Sequence, residues 1–232
     1  GRGPQAPIIV THSNAEAADD LANHRNQSIA KPWQRYRPMV YLAADSGMRP
    51  QEYLALPVSG LMDYGVQIMQ ALDRSNKIGP PKSAAGRRYI PVGTDTLDMV
   101  RHYQKEHNGP NEHGLVFPGA AGTHQTYSNF YRRCWRPLMT RAGLLEERES
   151  ADKPMPMYTP YTLRHFYASM LIAQNKDLKT IQVRMGHEDI TTTLNVYGHL
   201  VRRKHAEELD EEPGVISEAL HSPCGGFVAH VH

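Results

Sequence analysis

Between Thr159 and Leu200 the chain sets Arg164, the pair Gly186-His187 and Tyr197 in an order that suits phosphodiester chemistry. A phosphodiester under attack gathers charge on its non-bridging oxygens, and fixed cations and donors can stabilise that charge without a metal ion. Arginine fits the task because its planar fork holds two phosphate oxygens at once and stays charged at any working pH. A tyrosine hydroxyl, with an unperturbed pKa near ~10, becomes a covalent nucleophile once its proton is drawn off. Arg164 is therefore a candidate phosphate clamp and Tyr197, one of 12 tyrosines, a candidate nucleophile.

Local signals supply helices to carry them. Thr159 followed by Pro160 predicts a helix start, with the threonine as N-cap and the proline in the first turn. Leu163, Phe166, Tyr167, Met170 and Leu171 recur at helical spacing, which predicts that this face is core, with Arg164 beside it and Tyr161 one turn earlier on the same side. His165 follows Arg164 directly, and a one-residue step of about 100° carries its side chain away from the arginine. Asp177 is the expected cap of a second helix through Met185, closed by Gly186, with His187 emerging at that turn. Asp189 is the expected cap of a third helix, which leads to Tyr197.

These residues resemble the tyrosine recombinases, or phage-type integrases. That family carries a His-x-x-Arg box, a Leu-Gly-His turn and a tyrosine about ten residues later; this chain has Tyr161-Thr-Leu-Arg164-His165, Met185-Gly186-His187 and Tyr197. Ser46-Gly47-Met48-Arg49-Pro50-Gln51-Glu52 is similar to the family's first-arginine box. Pro81 to Pro91 is similar to the β-hairpin that carries its catalytic lysine. Ordered motifs from Ser46 to Tyr197 make a specific signal where any single one would be weak.

The resemblance implies Arg49, Lys82, Tyr161, Arg164, His187 and Tyr197 as catalytic residues, with Glu52 supporting Arg49. Lys77 shares the loop with Lys82. Tyr161 stands where the family has a histidine: a phenol can still hydrogen-bond a phosphate, or it can simply pack, but it lacks imidazole's pKa near ~6.5.

The formal charge is only +2. It is unevenly spread: Glu207, Glu208, Asp210, Glu211, Glu212 and Glu218 face no Lys or Arg within residues 206–232, leaving 26 basic against 18 acidic side chains upstream. A basic body with an acidic tail suits a nucleic-acid partner. Cys134 and Cys224 make no disulfide framework, and without a signal-like or membrane-length apolar run the chain is expected in the cytoplasm. Among 13 histidines no spacing fixes a metal site, and His221, Cys224, His230 and His232 read as tail composition. No metal or cofactor is expected.

The polar first 30 residues, with a candidate helix over Asn14 to Asn23, precede an apolar helical stripe from Trp33 to Ser46. Val66 to Leu72 and Tyr89 to Val92 can pair as a hairpin, with Pro80 and Pro81 keeping the intervening loop out of the ladder. Thr94 to His107 and Tyr127 to Ala142 read as helices, Leu115 to Phe117 as a short strand, and Glu146 to Pro156 as a charged linker. The expected fold is mixed α/β, mainly α-helical with a small antiparallel sheet, as the resemblance also implies. The expected organisation is an N-terminal extension over 1–30, a catalytic domain over 31–204 and an acidic tail over 205–232. Only 48 residues precede Arg49, so the separate DNA-clamping domain usual in the family is expected to be absent.

The function implied is site-specific recombination or integration: Tyr197 attacks a DNA phosphate and leaves a 3′-phosphotyrosyl link. A type IB topoisomerase and a DNA-binding module with decayed catalysis stay open as alternatives. The expected partners are a double-stranded recombination site and further copies of the chain, as a tetramer on DNA. Val215, Ile216, Ala219 and Leu220 form a short stripe that either docks on a neighbouring protomer or belongs to a solvated tail.

Overall fold

A computed structural model describes residues 33–119, 121–147 and 153–198. The expected helix over Asn14 to Asn23 and the tail calls, including its apolar stripe and its His/Cys group, lie outside the described residues. No helix among the described residues is long and apolar enough to cross a membrane.

Helix α1, described over 33–46, buries Tyr36, Met39, Leu42 and Ala43; of the expected stripe of Trp33, Tyr36, Val40, Tyr41 and Ala44 only Tyr36 is buried, and Tyr41 is 49% exposed. The helix stops because Gly47 takes φ +61°, a conformation that costs glycine little. The next helix, α2 (Pro50–Tyr53), begins at once, with proline in its first turn. A three-stranded antiparallel sheet follows in the order β1 (Leu61–Met62), β2 (Gly65–Ile68), β5 (Arg88–Pro91). Its β2–β5 ladder, Gly65↔Pro91 to Ile68↔Arg88, is the expected hairpin. Between them β3 (Ala71–Leu72) and β4 (Ile78–Gly79) form their own two-residue ladder. It ends just before Pro80, as the missing proline N–H requires.

Helix α3 (Thr94–His107) matches its expected bounds and buries Leu97, Val100 and Tyr103. Leu115 to Phe117, in contrast, makes no strand. All three residues are buried, but their backbone makes a bridge from Leu115 to Pro57 and a bond from the Val116 N–H to the Leu56 carbonyl, while the side chains of Asn108 and Asn111 take the Leu115 and Val116 carbonyls and the Leu115 N–H. Apolarity marked their burial and not a ladder.

The helix expected from Tyr127 to Ala142 is also divided, into α4 (Tyr127–Phe130), a π-helical stretch (Tyr131–Trp135) and α5 (Arg136–Arg141). Pro137 explains the widening, since a proline inside a helix offers no N–H and crowds the carbonyl four residues back. The presumed linker after it is not wholly irregular: its ends pair as β6 (Leu145–Glu146) and β7 (Met155–Pro156).

Helix α6 (Tyr161–Ala173) corrects two expectations. Pro160 is its N-cap and makes no side-chain cap, while Thr159 contributes only its carbonyl, to the Thr162 N–H at 2.9 Å. The buried face is Arg164, Tyr167, Ala168, Leu171 and Ile172, whereas Phe166 and Met170 are 53% and 41% exposed. The helix is rolled so that Arg164 points inward, because carbonyls on two neighbouring turns receive its guanidinium. Helix α7 (Leu178–Met185) starts on Asp177, whose carboxylate accepts the Thr180 N–H at 2.8 Å, and ends on Gly186 at φ +62°. Asp189 accepts the Thr191 N–H at 2.8 Å and opens α8, described over 190–198. The core runs through α1, the sheet, α3, α6 and α7, with Tyr197 of α8 buried against it.

Candidate active site

The site grows from the turn between α1 and α2. Arg49 is the N-cap of α2, and Glu52 at the third helical position accepts the Arg49 N–H at 2.7 Å. The same carboxylate accepts from the Arg49 guanidinium at 2.9 Å. Arg49 then reaches across the fold and donates to the Gly186 carbonyl at 3.1 Å. The first-arginine box is thereby tied to the turn that presents His187.

Arg164 closes the same junction from α6. It is 5% exposed and donates to the Gly47 carbonyl at 2.7 Å and to the Met185 carbonyl. Both acceptors sit at helix ends, where carbonyls lack intrahelical partners. Gly47 could not be replaced without disturbing this arrangement: a Cβ there would lie 2.3 Å from Tyr167 Cδ1, in addition to the left-handed φ. Burial, then the charge of Arg49, draws the Arg164 pKa down to about 9 against the pull of Glu52. It remains a cation at neutral pH.

Sequence reasoning missed Arg88. It lies inside the quoted hairpin motif yet received no role. In the structure it is buried and grips Glu52 with both arms of its fork, each at 2.8 Å. It also donates to the Arg184 carbonyl at 2.8 Å and the Gly86 carbonyl at 3.0 Å. A signal was available: Arg88, Ile90 and Val92 alternate, so a strand with Ile90 in the core must turn Arg88 inward as well. Burial would raise the Glu52 pKa, but the hydrogen bond and charge of Arg88 with the charges of Arg49 and Arg164 outweigh it and hold the carboxyl below its ordinary value. Three guanidiniums thus surround one buried carboxylate, and the cluster keeps an excess of positive charge.

His187 follows the left-handed Gly186, and its N–H returns to the Gln182 carbonyl at 3.1 Å, the helix-ending pattern that glycine permits. Its Nδ1 lies 2.9 Å from the hydroxyl of Thr193, a fully buried residue on α8. Burial, followed by the charges of Arg164, Arg49 and Arg88, pulls its pKa down to about 4. The ring is neutral at physiological pH and acts as a hydrogen-bonding group.

Tyr197 is 4% exposed, and its hydroxyl meets Nδ1 of His165 at 2.9 Å. Burial raises its pKa and the charge of Arg164 opposes that rise. His165 had been expected to point away from the chemistry. The angular step does turn it from Arg164, but α8 lies on the side to which it turns. Tyr161 is exposed and donates to Gln51 Oε1 on α2 at 2.9 Å, an interaction that spacing did not suggest.

Lys82 is exposed, on the segment between β4 and the 3-10 turn Ala84–Gly86. That turn leans on the His187 region: a Cβ built on Gly186 would come within 2.9 Å of the Ala85 carbonyl and 2.8 Å of an Arg88 nitrogen. Lys77 lies at the other end of the excursion, in the turn before β4, with its N–H on the Asp73 carboxylate at 2.8 Å. The structure therefore brings Arg49, Glu52, Arg164, His187 and Tyr197 into one junction. It sets Tyr161 and Lys82 at the edge.

Comparison with known proteins shows the family and the fold. A family model described as the phage integrase family matches residues 13–204. The chain is 28% identical over 174 residues to the tyrosine recombinase XerD of Halalkalibacterium halodurans, covering 73% of this chain and 51% of that protein. It is 30% identical over 166 residues to the tyrosine recombinase XerC of Xylella fastidiosa, covering 72% and 49%. The chain thus spans about half the length of the curated relatives it matches. Among solved structures, the Tn1549 transposon integrase with circular intermediate DNA aligns at a TM-score of 0.62 and 20% identity, over 89% of this chain and 67% of that one. The XerA recombinase aligns at 0.58 and 18%, over 91% and 68%. At that identity the structures speak to the fold alone, and they show the mixed, mainly helical architecture expected of a recombinase catalytic domain.

Proposed function

The chain belongs to the phage integrase family, and from that premise we propose that it cuts and rejoins DNA by transesterification at Tyr197 during site-specific recombination. The observation that carries the proposal is the cluster of Arg49, Arg88 and Arg164 around the single carboxylate of Glu52, with the Tyr197 hydroxyl buried beside it. Such a cluster has positive charge to spare, and a phosphate is the anion that a preorganised guanidinium pair holds best.

In this mechanism Arg49 and Arg164 clamp the non-bridging oxygens. Their anchoring to helix-end carbonyls keeps them in place before DNA arrives. Neutral His187, oriented by Thr193, contributes a further hydrogen bond. Tyr197 Oη bonds to phosphorus as the bond to the 5′-oxygen breaks, and Lys82 gives that leaving oxygen its proton. One phosphodiester replaces another, so no external energy source is required. Arg88 and Glu52 do no proton chemistry: Glu52 orients Arg49, and Arg88 fixes Glu52.

The partner is double-stranded DNA at a recombination site, met in the cytoplasm, and the catalytic unit occupies 31–204. Each active site cuts one strand, so exchanging both strands of two duplexes calls for a tetramer. Exposed Arg132 and Arg133 add to the basic surface available for phosphates.

The test is to incubate the protein with a pool of nicked duplexes of randomised sequence, in which the nick lets the severed end diffuse away, and to sequence whatever DNA is trapped covalently. Recovery of a shared sequence on the protein supports recombination. Adducts without sequence preference favour a topoisomerase-like activity, and retention of DNA without any adduct favours a binding module.

A further inference from the structure

Tyr161 occupies the place where the resembled family has a histidine, and its hydroxyl is engaged by Gln51 Oε1 at 2.9 Å. The nucleophile meets an imidazole from another position. Nδ1 of His165 lies 2.9 Å from Tyr197 Oη, with ring centroids 6.0 Å apart, inside the range required of a group that receives a proton directly. Arg164, whose charge reaches Tyr197, is a cation and is unsuited to that task.

The phenol needs such a partner. It is buried, and burial favours the neutral hydroxyl over the phenolate. His165 itself is exposed at the rim of α6, so its far edge meets solvent and can exchange a proton with water. Its backbone is steadied by Ser169, whose hydroxyl donates to the His165 carbonyl at 3.0 Å.

We propose that His165 is the proton acceptor for Tyr197, so that the base of this site stands one residue after Arg164 and not three residues before it. The proposal rests on the transesterification reading given above. With the ring proton on Nε2, the Tyr197 hydroxyl donates to Nδ1. As Oη bonds to phosphorus, the phenolic proton passes to Nδ1 and the P–O5′ bond breaks, its electron pair leaving with the 5′-oxygen, which Lys82 protonates. Rejoining reverses the steps: the incoming 5′-hydroxyl returns its proton to Lys82, and the imidazolium restores the phenol as the P–Oη bond breaks.

The test compares covalent adduct formation by the wild type, His165→Ala and His165→Asn on the pool of nicked randomised duplexes, with and without added imidazole. Melting curves and DNA retention on filters serve as controls for folding and binding. Because His165 is exposed, both variants should fold and retain DNA, while adduct formation slows by about 10²-fold or more, the usual contribution of a positioned base. Imidazole should restore much of the rate to His165→Ala, where the ring leaves an open space, and not to His165→Asn, whose amide fills it. A role in packing would give no such rescue. Variants that form adduct at the wild-type rate, or slow variants that imidazole leaves unchanged, would overturn the assignment to His165 while leaving the nucleophile in place. A wild-type protein that forms no adduct removes the underlying reading, and this proposal with it.

Discussion

Arg164 runs from the Gly47 carbonyl on one turn to the Met185 carbonyl at the end of α7, buried throughout, whereas Lys82 stands exposed between β4 and the Ala84–Gly86 turn. These two cations belong to one proposed reaction but are held by different physics. The arginine side of the site is part of the core, where its groups are fixed by carbonyls and by a carboxylate. The lysine side is a surface excursion with no ion pair for Lys82 among the described residues. The contrast teaches that charge stabilisation is built in before DNA binds, while delivery of a proton to the leaving oxygen awaits the substrate.

The comparison breaks most readily at Glu52. In Glu52→Gln both Arg49 and Arg88 lose the carboxylate that pairs with them, and removal of one partner from a buried ion pair costs about 3–5 kcal/mol. Chemical denaturation should register a loss of that order. Its pH dependence gives a second check. The Glu52 pKa is held down in the folded state, so its stabilisation is complete above the ordinary glutamate value near ~4.3 and fades as pH falls from there through the lower folded value. The wild type should show that acid slope, and Glu52→Gln should lack its share of it.

Gly186→Ala is expected to do intermediate damage. The left-handed φ and the near contacts with Arg88 and Ala85 should cost about 1–3 kcal/mol in melting experiments. Adduct formation should fall further than stability alone implies, because the carbonyl that holds Arg49 belongs to this residue.

Lys82→Ala sharpens the contrast from the other side. Stability should stay within about 0.5 kcal/mol of the wild type, as for surface substitutions generally, while adduct formation drops by about 10²-fold or more through loss of the general acid. Tyr161→Phe is the smallest change, since it removes one exposed hydrogen bond to Gln51, worth about 1 kcal/mol. A cleavage loss in Tyr161→Phe as large as that in Lys82→Ala would place Tyr161 with the buried machinery.

The sequence was most legible where a function depends on local geometry. Gly186 as a helix end, Asp177 as a cap, and the hairpin of β2 and β5 follow from spacing and turn chemistry. It was least legible where two distant elements decide. The 36-residue separation of Glu52 and Arg88 hides their pairing from any periodicity. The step from Arg164 to His165 sets an angle about α6, but the position of α8 determines what that angle meets. The roll of α6, which exposes Phe166 and Met170, has the same origin: an arginine with two carbonyl acceptors outweighed the apolar stripe.

Transesterification at Tyr197 is tested most directly by the identity of the covalent bond. Adduct trapped on nicked DNA should be digested and its linked peptide sequenced by mass spectrometry, for the wild type and for Tyr197→Phe. The expected result is a nucleotide joined through its 3′-phosphate to Tyr197, with Tyr197→Phe retaining DNA and forming no adduct. A linkage to another residue, a 5′-phosphate linkage, or an adduct that persists in Tyr197→Phe would contradict it.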